Sequence, residues 1–131
     1  MACHSLTLIC GIPNAGKTTY ALRYNNVIHL DDMPHKGGQF KNCDALARDT
    51  NGDVVVEGVY VTTKHRRGLL EACRDKSPKI CIWLDTPLEE CLEREKKYRR
   101  RPFNIVSGHH DMLEQPTLDE GWDEIIIIKG G

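Results

Sequence analysis

Residues 6–19 read LTLICGIPNAGKTT, and this stretch decides the fold. Leu6–Cys10 is a short apolar run ending at a glycine, the pattern of a buried β-strand. Gly11-Ile12-Pro13-Asn14-Ala15-Gly16-Lys17-Thr18 then matches G-x-x-x-x-G-K-[ST] at every fixed position. Such a loop wraps phosphate oxygens with inward-pointing backbone N–H groups, so side chains near its turns must be absent or small. Gly11 and Gly16 meet that demand, and Ala15 keeps the approach open. The helix that opens after Gly16 turns its positive dipole end toward the anion. Lys17, expected on an exposed loop, can reach the β- and γ-phosphates, and the Thr18 hydroxyl can bind Mg²⁺. The motif therefore implies binding of a nucleoside triphosphate with Mg²⁺ through Gly11, Pro13, Asn14, Ala15, Gly16, Lys17, Thr18 and Thr19.

Outward from this loop the chain alternates between helix-like and strand-like pieces. Residues 18–24 suit a helix. Val27–Leu30 is short, aliphatic and ends in Asp31-Asp32, and residues 33–42 (MPHKGGQFKN) read as a mobile loop. Asp44–Arg48 fits one or two helical turns. Asn51-Gly52 signals a turn before the strand Val54–Val56, which ends at Glu57-Gly58. Lys64–Arg74 places Leu69, Leu70 and Cys73 on one helical face, and Ile80–Leu84 is the next strand. Thr86-Pro87-Leu88-Glu89 spells a capping box with proline at the first helical position. In the helix that follows, Leu88, Cys91 and Leu92 form the core-facing stripe. Glu124–Ile128 is a final strand. Five aliphatic strands separated by helices predict an α/β fold: one domain over residues 1–131, its five-stranded parallel sheet covered on both faces.

Composition sets the bounds. A chain of 131 residues suffices for one domain, and 18 basic against 19 acidic side chains give no overall pull toward nucleic acid or membrane. The longest aliphatic run, Ile125–Ile128, falls far short of the roughly 20 apolar residues of a bilayer span. MACHSLTLIC lacks a cationic leader. Cys3, Cys10, Cys43, Cys73, Cys81 and Cys91 contain no C-x-x-C pair and sit mostly among aliphatic neighbours, which reads as reduced core thiols in a cytoplasmic protein. His109 and His110 precede Asp111 without a third ligand at suitable spacing, so a surface loop is the better reading than a metal site.

Three strands end in acids: Asp31-Asp32, Glu57 and Asp85. In an open parallel sheet, ligands sit beyond the carboxyl ends of the strands. A phosphotransferase needs a carboxylate near the acceptor hydroxyl, and one of the Asp31-Asp32 pair, Asp31 ahead of Asp32, is expected to face the phosphate loop. Glu57 reads equally as a Mg²⁺ or substrate group and as a structural acid, and Asp85 as part of a helix start. Residues 94–101, REKKYRRR, carry six basic residues and one acid. Arg94, Lys97 and Arg101 would share a helical face opposite the core stripe. Lying after the fourth strand, the run is expected to form a basic lid over about residues 94–110, with at least one arginine on the migrating charge. Arg66 and Arg67 read evenly as substrate contacts or as solvated surface.

Taken in order, GIPNAGKTT, HLDD, VVVEG with HRR behind it, WLDTPLEECLER with RRR, and QPTLDEGWDEI resemble the polynucleotide 5′-hydroxyl kinases of the P-loop kinase superfamily. The resemblance implies γ-phosphate transfer from ATP to the 5′-hydroxyl of DNA or RNA, with Lys17 on the phosphates. It further implies Asp31 as general base and Arg99 as the lid arginine. Two features depart from the family. Pro34 stands where phage members have an arginine, and Glu57-Gly58-Val59 stands where an Asp-Thr-Asn run is common. A small-molecule kinase on the same scaffold, for a nucleoside, sugar nucleotide or other alcohol, is the second expectation. A non-catalytic nucleotide-binding module is the third.

Overall fold

The computed structural model describes residues 4–129; Cys3 lies outside them. Five strands, β1 (Leu6–Cys10), β2 (Ile28–His29), β3 (Val54–Gly58), β4 (Lys79–Asp85) and β5 (Glu124–Lys129), form one sheet in the order β2-β3-β1-β4-β5. Every pairing is parallel. Five helices connect them: α1 (Lys17–Ala21), α2 (Gln39–Asp49), α3 (Thr63–Ala72), α4 (Leu88–Tyr98) and α5 (Phe103–Met112). No helix among the described residues is long and apolar enough to cross a membrane.

All five residues of β1 are buried. Successive strand residues point to opposite faces, so uninterrupted burial means that both faces of the central sheet are covered. Towards the edge this cover thins, and Ile127 of β5 keeps 41% exposure. Cys10, Cys43, Cys73, Cys81 and Cys91 are free thiols within the core, with the Cys10 and Cys81 sulfurs 3.6 Å apart across β1 and β4.

The register sets up one working edge. Cys10 lies level with Gly58 of β3 and Trp83 of β4, and His29 level with Glu57. The carboxyl ends of β1, β3 and β4 thus finish side by side, and the chain leaves β1 for β2 in one direction while β4 lies in the other. That reversal is where an open α/β sheet forms its crevice.

Several local expectations are revised. The helix after the phosphate loop starts one residue earlier, at Lys17, and ends at Ala21. The second strand covers only Ile28–His29; Leu30–Asp32 forms a 3-10 turn instead. Residues 39–42 are not loop but the first turn of α2, which is 11 residues long. Its first turn had no apolar periodicity to announce it, and packing of Cys43 and Ala47 into the core stabilises the whole helix. Thr86 does not cap α4: Pro87 is the N-cap, and the Thr86 hydroxyl donates to Ala15 O at 2.7 Å. A capping box does form at Thr117–Glu120.

On α2, Asp44 accepts a hydrogen bond from the Tyr60 hydroxyl at 2.8 Å. Burial pushes its carboxyl up to about 6, against the pull of that bond. A folded-state value above the unfolded one means that the folded protein holds a proton the unfolded chain has released. Stability attributable to Asp44 therefore falls as pH rises from about 4 to about 6. Asp44→Asn keeps an acceptor for Tyr60 and abolishes the titration. Its thermal midpoint, compared with wild type, should be equal at the acid end of this window and progressively higher toward neutral pH.

Arg66 is completely buried and is neither a substrate contact nor solvated surface. Its Nε and Nη2 donate to the two Glu120 oxygens at 2.7 and 2.9 Å, and its remaining donors reach Tyr60 O and Glu114 O. Trp122 Nε1 adds a bond to Glu120 Oε1 at 3.0 Å. Burial alone would raise the Glu120 carboxyl, but the Arg66 and Trp122 donors outweigh it and hold it below the ordinary glutamate range. The Glu120-Gly121-Trp122 block thus ties α3 to the start of β5. Glu120→Ala strands a buried guanidinium and should cost about 3–5 kcal/mol in chemical denaturation at neutral pH. The wild-type advantage is present above the unfolded glutamate pKa of about 4.3 and disappears as pH falls through the lower folded value.

Candidate active site

The phosphate loop joins β1 to α1 along this edge. Gly16 has φ +105°, and Asn14 adopts φ +69°, a conformation asparagine tolerates better than most residues. Ile12 O accepts from Ala15 N at 3.1 Å and from Lys17 Nζ at 2.8 Å, folding the lysine back along the loop. Lys17 is buried rather than exposed, with 8% of its surface accessible. Burial pushes its ammonium below the ordinary lysine value, and the charges of Glu57 and Asp31 oppose that drop. Both acids therefore act electrostatically on this cation.

Glu57, at the end of β3, is buried and bridges two partners. Its Oε1 accepts from the Thr18 hydroxyl at 3.3 Å, and its Oε2 lies 3.2 Å from His29 Nδ1. Gly58 is required by close packing, because a Cβ there would stand 2.6 Å from the Leu30 Cβ. Leu30 opens the turn that carries Asp31, so the glycine after Glu57 lets the two acids approach the loop together. Asp31 and Glu57 line the same cavity; Asp32 and Asp85 do not.

That cavity holds about 980 Å³, the upper end of the range for ligand sites. Pro13, Asn14, Ala15, Gly16, Lys17, Thr18 and Thr19 line it, as do the cations Arg23, Arg94, Arg100 and Arg101 and the side chains of Gln39 and His109. His109 thus lies in a helix that borders the cavity, where a surface loop was expected, and among the described residues no His/Cys/Asp/Glu cluster suited to a metal occurs.

The basic run is arranged differently from a continuous helical face. α4 ends at Tyr98, and Arg99 takes the left-handed C-cap position at φ +53°. Arg99 does not border the cavity, whereas Arg100 and Arg101, turned inward by that reversal, do. Arg94 Nη1 donates to Asn14 O at 2.6 Å, while Arg100 and Arg101 both donate to Asn14 Oδ1, at 3.2 and 3.0 Å. Sequence reasoning missed Glu95, buried beneath this turn. Its signal was its spacing: it continues the Leu88–Cys91–Leu92 stripe by one turn, where a charge must have partners.

No protein-family model matches the chain, and no curated protein matches its sequence. Solved structures do match its fold. A gluconokinase from Sinorhizobium meliloti 1021 superposes with TM-score 0.73 at 15% identity, covering 98% of this chain and 84% of its own. Kti12 from Chaetomium thermophilum, in complex with ADP-AlF3, gives 0.72 at 15% identity over 95% and 88%. The APS kinase CysC of Mycobacterium tuberculosis, bound to AMPPNP and APS, gives 0.64 at 16% identity over 97% and 90%. The chain has the P-loop kinase fold.

Proposed function

We propose that the chain is an ATP-dependent kinase that transfers the γ-phosphoryl group to a hydroxyl of a small molecule. The observation that carries this reading is the convergence, in one cavity, of the phosphate loop, Lys17, two strand-end acids and three arginines. In the transfer, an acceptor hydroxyl oxygen forms a bond to the γ-phosphorus as the bond from that phosphorus to the β,γ-bridging oxygen breaks. The hydroxyl proton passes to the Asp31 carboxylate, and ADP leaves with the electron pair of the broken bond. Lys17 holds the β- and γ-oxygens, and the arginine turn faces the charge that develops on the migrating group.

Thr18 and Glu57 fit a magnesium ion: a hydroxyl and a carboxylate, hard oxygen donors 3.3 Å apart at the mouth of the phosphate loop. Such an ion supplies charge neutralisation on the phosphates. Thr18 would hold it directly and Glu57 through water, with His29 fixing the orientation of that carboxylate.

Two observations support a small acceptor over a polynucleotide. The fold's neighbours include a gluconokinase and an APS kinase. The C-terminal block that resembled polynucleotide kinases is occupied with anchoring Arg66. The test is transfer of labelled γ-phosphate from ATP to a panel of sugars, sugar acids, cyclic polyols, nucleosides and 5′-hydroxyl oligonucleotides. Label is expected in a small alcohol. Label in the oligonucleotides instead would establish the polynucleotide reading. Tight ATP binding with label in no acceptor would make the chain a nucleotide-binding module.

A further inference from the structure

Glu95 has no part in the reaction outlined above, yet it is one of the most completely buried charges in the molecule, with its side chain at 0% exposure. Both of its oxygens are engaged. Oε1 accepts from Asn14 Nδ2 at 3.1 Å and from Arg101 Nη1 at 3.0 Å. Oε2 accepts from the backbone N–H groups of Arg100 at 2.5 Å and Arg101 at 2.9 Å. Burial works against its charge, but these donors prevail and hold the carboxyl below the ordinary glutamate range. Asn14 completes the circuit, its Nδ2 also reaching Cys91 O and its Oδ1 receiving both guanidinium groups.

We infer that Glu95 is a positioning residue: through Asn14 and the Arg100–Arg101 backbone it clamps the arginine turn onto the phosphate loop in the geometry that meets the transferring charge. The inference rests on the kinase reading. Its physical basis is preorganisation. Arginine is flexible, and ordering one on an exposed turn costs rotamer entropy at the moment of reaction. Here that ordering is done by folding. The Arg99 reversal at φ +53° aims the next two N–H groups at one carboxylate oxygen, which fixes where both side chains leave the backbone. A glutamine at this site would present an amide N–H to those same donors and could not serve all of them.

The test needs no acceptor. Binding of ADP with magnesium is measured by titration calorimetry with and without aluminium fluoride, which mimics the phosphoryl group in flight. Wild type should bind ADP–fluoroaluminate more tightly than ADP. Glu95→Gln should lose on the order of tenfold or more of that preference while ADP alone binds within about twofold of wild type. In an Arg100→Ala, Arg101→Ala background the same substitution should change little further, since Glu95 acts through those side chains. A purely structural role would instead lower both affinities alike and in both backgrounds, which overturns the clamp. Should Glu95→Gln not fold, Glu95→Asp, which keeps the charge but draws the carboxylate back from Asn14 and from the Arg100 and Arg101 N–H groups, is read in the same cycle. A wild type that distinguishes the two ligands beside a variant that does so equally well overturns the clamp alone. A wild type that does not distinguish them overturns the kinase reading, and the clamp with it.

Discussion

Asp31→Asn should lower single-turnover phosphoryl transfer by roughly 10²–10⁴ while Mg·ATP affinity stays close to wild type. The substitution keeps shape and removes only the charge that accepts the hydroxyl proton. Asp31 is exposed at the cavity wall, so its replacement leaves no buried group without a partner. Its negative charge also supports the Lys17 ammonium, and the larger share of that support comes from Glu57. Nucleotide affinity, read by titration calorimetry, should therefore change little while transfer collapses. If affinity and transfer fall together, Asp31 belongs to the nucleotide or its ion, and Glu57 becomes the candidate base. If neither falls, the proton goes elsewhere.

Lys17→Met should lower transfer by roughly 10²–10³ with the fold retained. Methionine is the better choice than alanine because Lys17 is buried, and a side chain of similar length keeps the space of its aliphatic stem filled. The variant loses the cation aimed at the β- and γ-phosphates and the bond to Ile12 O, which keeps its second donor, Ala15 N. Unchanged circular dichroism with collapsed transfer is the expected pair of results. Unimpaired transfer would sink the assignment of the phosphate loop.

How much of this was legible in the chain depends on whether the signal was local. The phosphate loop was, because its requirements are met by residues adjacent in sequence: glycine where φ is positive, a lysine and a hydroxyl at the helix start. The parallel sheet was too, because a strand buried on both faces must be apolar at nearly every position, as LTLIC, with Thr7 its one polar residue, and ICIWL are. The first turn of α2 was not, since that helix draws its stability from contacts with β2, β3 and α3 rather than from its own pattern. Thr86 misled for a related reason. Its neighbours spell a cap, but the Ala15 carbonyl, 71 residues away in sequence, claims its hydroxyl.

Charges divide along the same line. That a phosphate-binding loop would meet acids and a basic run follows from the chain alone, since the carboxyl ends of the strands share one edge of a parallel sheet. Which of those charges reach the cavity depends on the folded arrangement. Arg66 and Arg67 are neighbours in sequence, yet the first is buried against Glu120 and the second lies at the surface. Among Arg99, Arg100 and Arg101, a single left-handed residue turns the last two toward Asn14 and leaves the first outside the cavity lining. Burial of an ion is favourable only when its partners converge from several elements at hydrogen-bonding distance, and no local pattern carries that information.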